Sequence, residues 1–244
     1  MKDKRVQRKI SRVKYILVAL NTLIIFIVGI FFGQQLERAR VDMLYNELST
    51  QNLDYQNLIT EYEYISYLIN TKNLDNVTCS MIETTYYTSI SHLDNARIKL
   101  ENYLNSAEVN QNDYSILRDR YSNVQINYWI LGDQIKKACN SDFVTVLYFF
   151  GDKKVCPECD DQGIYLSYIK QKYGNKVMVF ALDSAQKGPI RLLVNRYGIT
   201  NSTLPAVVIT DRVYGFLTSD KVQSIICKND NICLSNQNES TTAR

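Results

Sequence analysis

The first long apolar stretch of the chain runs from Tyr15 to Gly33. It has no charged side chain, and its only clearly polar residues are Asn21 and Thr22. A helix of this length, at ~1.5 Å rise per residue, covers roughly 28 Å, which is close to the hydrocarbon thickness of a bilayer. The pattern therefore predicts a transmembrane signal anchor over residues 15–33. A cleaved signal peptide is the alternative, but the stretch is long for one, and no small-x-small cleavage site follows it.

The region after this stretch is typical of long helices. No glycine or proline occurs between Gln34 and Leu131, so the usual helix breakers are missing. Two series of mostly apolar positions alternate steps of three and four residues, and each predicts a buried stripe on one helix. The two series are Leu44, Leu48, Gln51, Tyr55, Leu58, Tyr62, Ile65, Ile69 and Tyr114, Leu117, Tyr121, Val124, Tyr128, Leu131, Ile135, Ala138.

A third, less regular apolar stripe lies between these two series and predicts a third helix. Polar residues 71–76 and 105–112 predict the turns that separate the three helices. We therefore expect a coiled-coil-like region over residues 34–140, with a leading helix that continues from the membrane span and a helical hairpin after it.

Cys79 and Cys139 lie near the two ends of this predicted hairpin. The turn at residues 105–112 is midway between them, so folding the chain there brings both cysteines to the same end. A disulfide needs that proximity, and a compartment outside the cytoplasm permits it. We expect a Cys79–Cys139 disulfide, and the alternative is two free thiols.

The hydrophobic pattern changes at residue 141, where short β-rich runs begin to alternate with short helical segments. The run 143–150 is too short for a helix before Gly151 and predicts a buried strand. The remaining predicted elements are helix 160–173, strand 176–182, helix 189–197, strand 206–210, strand 213–217 in a hairpin around Asp211-Arg212, and helix 219–228. Residues 141–233 are expected to form one domain of order βαβαββα, and residues 234–244 a disordered polar tail.

The charge of the chain is concentrated at its beginning. The formal net charge is +3, yet residues 1–14 carry seven basic groups and one acidic group. The remainder is net negative, which argues against a nucleic-acid-binding face. The positive-inside rule predicts a cytoplasmic tail over residues 1–14 and a position outside the cytoplasm for everything after Gly33.

Residues 141–229 resemble the thioredoxin superfamily in three local features. Cys156-Pro157-Glu158-Cys159 lies between an apolar strand and a helix, Thr203-Leu204-Pro205 leads into another strand, and a hairpin and a terminal helix follow. The resemblance implies an α/β thioredoxin-like domain, preceded by the transmembrane helix and the helical hairpin. It also implies a cis Leu204–Pro205 bond, with Pro205 against the cysteine pair and the Leu204 backbone free to pair with a bound chain.

The chemistry of Cys156-Pro157-Glu158-Cys159 follows from its place at a helix N-terminus. Unpaired N–H groups and the helix dipole stabilise a thiolate there, and thiolate is the nucleophile. Cys156, expected to be the exposed member, attacks a substrate disulfide, and Cys159 resolves the mixed disulfide. Pro157 suits the first helical turn because it has no N–H.

Three residues depart from the pattern of the superfamily. Val155 replaces the tryptophan that usually precedes the first cysteine, and Tyr148 stands where thioredoxins proper have a buried carboxylate. Glu158 adds a negative charge that disfavours the thiolate, so we expect it to raise the pKa of Cys156 and to make the pair a weaker oxidant. Lys153 and Lys154 act in the opposite direction, so the sequence leaves the sign of the net effect open.

Cys227 and Cys233 complete the set of six cysteines. Together with Cys156 and Cys159 they could hold zinc, but five residues separate them, and zinc ligand pairs are usually closer. We expect a local Cys227–Cys233 disulfide and no metal.

The sequence thus predicts a protein thiol–disulfide oxidoreductase, tethered to the cell membrane and facing out of the cytoplasm. Its expected partners are exported proteins with thiols or disulfides and a membrane redox protein, and no cofactor is expected. The alternative is a membrane-anchored coiled-coil interaction or scaffold protein, in which the thioredoxin-like domain is a docking module and the helical region could form homo-oligomers.

Overall fold

The computed structural model describes residues 12–71, 74–104, 111–229 and 231–233. The chain divides into two compact units, Met1–Leu53 and Asp54–Arg244. The first helix, α1 (Arg12–Thr71), has 60 residues and contributes to both units. The predicted cytoplasmic residues 1–11 and the predicted tail 234–244 lie outside the described residues.

The first unit contains a helical segment that is long and apolar enough to cross a membrane. This segment, Ile16–Gln35, has 20 residues and a mean hydropathy of 2.6, and none of it is buried. A signal sequence near the N-terminus would have the same properties. The helix expected over residues 15–33 is therefore confirmed as one that is long and apolar enough to span a membrane or to act as a signal anchor.

The second unit begins with a bundle formed by the end of α1, by α2 (Asn76–Leu104) and by α3 (Gln111–Cys139). The helix ends agree with the turns predicted at residues 71–76 and 105–112. Tyr55 and Leu58 of α1 and Tyr128 and Leu131 of α3 are each at most 3% exposed, as their stripes predicted. The side chains of Leu44, Leu48 and Gln51 are not among the described ones.

Buried tyrosines connect the three helices of the bundle. The Tyr128 hydroxyl donates to the Leu58 carbonyl at 3.0 Å, and the Tyr86 hydroxyl donates to the Tyr128 carbonyl at 3.0 Å. Each phenol thus buries its ring and satisfies its polar end on a main-chain oxygen of a neighbouring helix.

A four-stranded mixed sheet follows the bundle. Its strands are β1 (Val144–Phe150), β2 (Val177–Asp183), β3 (Ala206–Ile209) and β4 (Arg212–Tyr214), in the order β2-β1-β3-β4. β1 is parallel to β2 and antiparallel to β3, and β3 is antiparallel to β4. The helices among them are α4 (Cys159–Tyr173), α5 (Pro189–Arg196) and α6 (Ser219–Asn229).

The two faces of strand β1 pack against different helices. Val146 and Tyr148 belong to a core shared with α4 and α6. The alternate residues of β1 lie on the other face of the sheet, towards α3 and α5. Thr145 lies against Gly132 of α3, and the Phe149 ring lies 6.3 Å from the ring of Tyr197, which follows α5.

The predicted fold class, an α/β thioredoxin-like domain behind accessory helices, is wrong for this chain. The protein is dominated by helices of 60, 29 and 29 residues, while the four strands have only seven, seven, four and three residues. The prediction gave most weight to the last third of the chain. The bundle packs against β1 and the residue before it, since a Cβ on Gly132 of α3 would lie 3.0 Å from Thr145 Cγ2 and the Phe143 ring stacks on Tyr86 of α2 at 5.6 Å.

The hairpin formed by β3 and β4 also differs from its prediction. The turn is at Thr210 and Asp211, which have φ angles of 50° and 60°, and not at Asp211-Arg212. Strand β4 ends at Tyr214, so Leu217 lies outside the sheet.

Candidate functional site

All six cysteines lie at disulfide distance in three pairs. The Cα–Cα separations are 5.5 Å for Cys79 and Cys139, 5.4 Å for Cys156 and Cys159, and 5.2 Å for Cys227 and Cys233. The first and third are the structural pairs that the sequence predicted. Each pair is bonded within itself, unlike the alternative in which four cysteines share a zinc ion.

Cys156 and Cys159 are positioned by a tight turn after β1. The side chain of Asp152 accepts the Lys154 N–H at 2.9 Å, and its carbonyl accepts the Cys156 N–H at 2.8 Å. The Cys159 N–H donates to the Cys156 carbonyl at 3.3 Å. Helix α4 then begins at Cys159, so the pair lies at the helix N-terminus, as predicted.

The expectation that Cys156 is the exposed member of the pair is wrong for the disulfide form. Cys156 is 2% exposed and Cys159 is 5% exposed. Pro157 and Glu158 between them are exposed, and so is Val155. Both cysteines are therefore buried in the disulfide form, and Val155, Pro157 and Glu158 form the exposed surface around them.

Leu204 and Pro205 approach the site from the segment before β3. Their peptide bond is cis, as the resemblance implied. A Cβ placed on Gly151 would lie 2.9 Å from Leu204 Cδ1 and 3.9 Å from both Cys156 Cβ and Ser184 Oγ. Leu204, Cys156 and Ser184 therefore surround the position of Gly151, and a side chain there would collide with Leu204.

Charged side chains of both signs surround the cysteine pair. Asp160 and Asp161 occupy the first turn of α4, next to Glu158. Lys153 Nζ lies 3.5 Å from Asp160 Oδ2, and both side chains are largely exposed. One lysine thus offsets one of the three carboxylates, and exposed charges of this kind are screened by salt.

Two buried polar side chains at the site, those of Tyr148 and Gln162, make hydrogen bonds that the sequence did not predict. The Tyr148 hydroxyl donates to the Cys159 carbonyl at 2.5 Å. Gln162 is fully buried, accepts the Leu217 N–H at 2.7 Å and donates to the Leu217 carbonyl at 3.1 Å. A polar residue on the inner face of a predicted helix was the available signal for Gln162, because buried polar groups need partners.

Tyr148 is a neutral neighbour of Cys159. Burial raises its pKa above the ordinary value, and the negative charge of Asp160 raises the pKa further. The phenol therefore keeps its proton near neutral pH and donates a hydrogen bond, whereas a buried carboxylate would accept one.

The third cysteine pair lies at the other end of α4. The Tyr173 hydroxyl lies 3.9 Å from Cys227 Sγ and 3.7 Å from Cys233 Sγ. Tyr173 is the last residue of α4, while Cys227 is in α6. This disulfide therefore links α6 to the residues that follow it, and it lies close to the C-terminus of the helix that begins with Cys159.

No protein-family model matches this chain, and no curated protein does. A solved structure of a malarial protein is 21% identical, over 35% of this chain and 96% of that chain, with a TM-score of 0.31. A similarity at this level bears on neither the fold nor the function.

Proposed function

We propose that this protein carries out thiol–disulfide exchange through Cys156 and Cys159, on the outer side of a membrane to which α1 anchors it. The observation that carries the proposal is the closed Cys156–Cys159 pair at the N-terminus of α4. The other four cysteines form two separate disulfides, Cys79–Cys139 and Cys227–Cys233. The Cys156–Cys159 pair can therefore react without breaking a long-range cross-link.

The reaction that this pair supports has two steps. In the reducing direction, the Cys156 thiolate attacks a substrate disulfide, and one substrate sulfur leaves as a thiolate that takes up a proton. Cys159 then loses its proton, attacks Cys156 Sγ and releases the second substrate sulfur. The substrate gains two electrons, and the enzyme ends as the disulfide form described above. In the oxidising direction the same steps run in reverse.

The membrane anchor suggests where the pair meets its partners. Seven basic groups precede the apolar segment of α1, and the positive-inside rule places such a flank in the cytoplasm. The cysteine pair would then face exported proteins, and a membrane redox protein would return it to its starting state. The oxidising compartment on that side is also where the two structural disulfides would persist.

The proposal is tested by trapping with the full-length protein in its native membrane. Replacing Cys159 with Ala leaves Cys156 without its resolving partner, so mixed disulfides with substrates should accumulate and disappear on reduction. The double variant Cys156→Ser/Cys159→Ala is the matched control. A Cys159→Ala variant that forms no mixed disulfides, with substrate proteins or with glutathione, would contradict the proposal.

A second candidate function is that of a membrane-anchored interaction protein. Tyr64 and Tyr67 of α1, one turn apart, are 59% and 57% exposed, although the other side of the helix is buried in the bundle. Exposed tyrosines are common at protein interfaces. Light scattering of the full chain in detergent tests self-association, which Tyr64→Ser/Tyr67→Ser should abolish while exchange activity stays unchanged.

A further inference from the structure

The hydrogen bond between Tyr148 and Cys159 links the centre of the sheet to the candidate redox pair. We infer that Tyr148 is a positioning residue that holds Cys159 in place for attack on the mixed disulfide. The inference rests on the proposed exchange function and extends it to a residue outside the Cys156–Cys159 segment.

The position of Tyr148 is fixed from both sides. It lies in β1, where it pairs with Ala181 of β2 and Val207 of β3. It is 5% exposed, and its ring lies 5.8 Å from the ring of Phe150. The hydroxyl therefore moves little, because its strand is hydrogen-bonded on both edges and its ring is packed.

The first turn of α4 lies over the Tyr148 ring. A Cβ placed on Gly163 would lie 3.9 Å from Tyr148 Cε1, which is ordinary contact distance. Gly163 lies one turn beyond Cys159, so the ring passes beneath the first turn of α4 and reaches the Cys159 carbonyl from the inside. That carbonyl also lies in the position that accepts the helical N–H four residues later. The phenol thus adds a second donor at the residue that carries the resolving sulfur.

This contact acts on the resolving step because that step is intramolecular. Cys159 Sγ must reach Cys156 Sγ while Cys156 Sγ is still bonded to the substrate sulfur. The rate of this attack depends on the effective concentration of one cysteine sulfur near the other. A second hydrogen bond to the Cys159 backbone restricts the first turn of α4 and raises that concentration. Without it, the mixed disulfide should persist longer, and the Cys156–Cys159 disulfide should form less readily.

The test is Tyr148→Phe in the full-length protein, equilibrated with glutathione and assayed for release of a mixed disulfide. We expect the equilibrium constant for Cys156–Cys159 disulfide formation to fall about twofold to twelvefold, because a net hydrogen bond is worth about 0.5–1.5 kcal/mol. A tenfold fall corresponds to a potential about 30 mV higher. Release of the substrate sulfur should slow by a similar factor.

Tyr128→Phe is the matched control. Tyr128 is also a buried tyrosine whose hydroxyl donates to a main-chain carbonyl, but that carbonyl belongs to Leu58 in the bundle. Both variants should lose similar folding stability, and only Tyr148→Phe should change the redox constant and the release rate. Equal redox constants in the two variants would overturn the inference. Failure of the wild-type protein to exchange with glutathione would instead refute the proposed function, so the two failures are distinguishable.

Discussion

At the scale of single residues, the site combines a helix N-terminus with an unusual charge between the two cysteines. The dipole of α4 favours a thiolate at Cys156. Glu158 is exposed in the connecting segment, and Asp160 and Asp161 follow it. These carboxylates oppose the dipole, so the local charges favour a less oxidising pair than the helix N-terminus alone would produce.

Replacing Glu158 with Gln should therefore stabilise the thiolate and the reduced form. We expect the equilibrium constant for disulfide formation with glutathione to fall about twofold to fivefold, which corresponds to roughly 10 to 20 mV. The shift should shrink at high salt, because the charge is exposed. Glu63→Gln, at an exposed position of α1, is the control. If Glu158→Gln shifted the equilibrium constant no more than Glu63→Gln, or shifted it in the opposite direction, the proposed effect of the Glu158 charge on Cys156 would be contradicted.

At the scale of elements, α3 is the helix that joins the bundle to the sheet. Gly132 lies in α3 beside Tyr86 of α2 and Thr145 of β1. A Cβ at that position would collide with the Tyr86 hydroxyl and lie 3.0 Å from Thr145 Cγ2. The glycine thus allows the three elements to meet, and it leaves room for the hydrogen bond from Tyr86 to the Tyr128 carbonyl.

Gly132→Ala should destabilise the second unit by about 1–3 kcal/mol, the usual cost of overpacking a core. Gly163→Ala is the matched helical control, because its nearest neighbour would be at 3.9 Å. It should leave stability unchanged or raise it by up to about 1 kcal/mol through helix propensity. Urea unfolding of the full chain measures both. Equal effects of the two substitutions would contradict this assignment of Gly132.

The separate helices and strands could be predicted from the sequence to within a few residues. The heptad stripes with Tyr55 and Tyr128 gave the bundle helices, and the run before Gly151 gave β1. The contacts that join these elements could not be predicted, because they depend on residues far apart in the chain. Examples are the contacts of Gly132 with Tyr86, of Phe143 with Tyr86 and of Tyr148 with Cys159. The dominance of the helical bundle in the fold was not predicted for the same reason.

The site was predictable to a similar degree. Cys156 and Cys159 stand out in sequence by their spacing and by the helix that follows. The burial of both sulfurs and the contact of Leu204 with Gly151 depend on how the loop folds back on the sheet. Spacing along the chain carries no information on either.

At the scale of the whole molecule, tyrosine is a recurrent residue of the core. The chain has 18 tyrosines, and those of the second unit include several that are buried. Burial raises the pKa of Tyr55 and of Tyr87 to about 12 each, and burial together with the hydrogen bond to Asp211 raises that of Tyr197 to about 12.

These shifts predict how stability depends on pH. An unfolded tyrosine releases its proton near pH 10, while the folded protein retains these protons up to about pH 12. The folded state binds more protons in this window, so the contribution of these tyrosines to the free energy of unfolding should be constant below about pH 10 and should fall between pH 10 and pH 12. Urea unfolding across this range checks the sign, and a flat profile would contradict it. Tyr55→Phe should reduce the slope.

The Cys79–Cys139 disulfide has a consequence for the integrity of the chain. It joins residues 60 positions apart, so α2, α3 and the segment between them form a covalently closed ring. A protease that cuts this ring once would leave a protein of unchanged mass, apart from one added water. The two pieces would separate only after reduction and unfolding, so the cut would appear on a reducing gel and stay invisible on a non-reducing one.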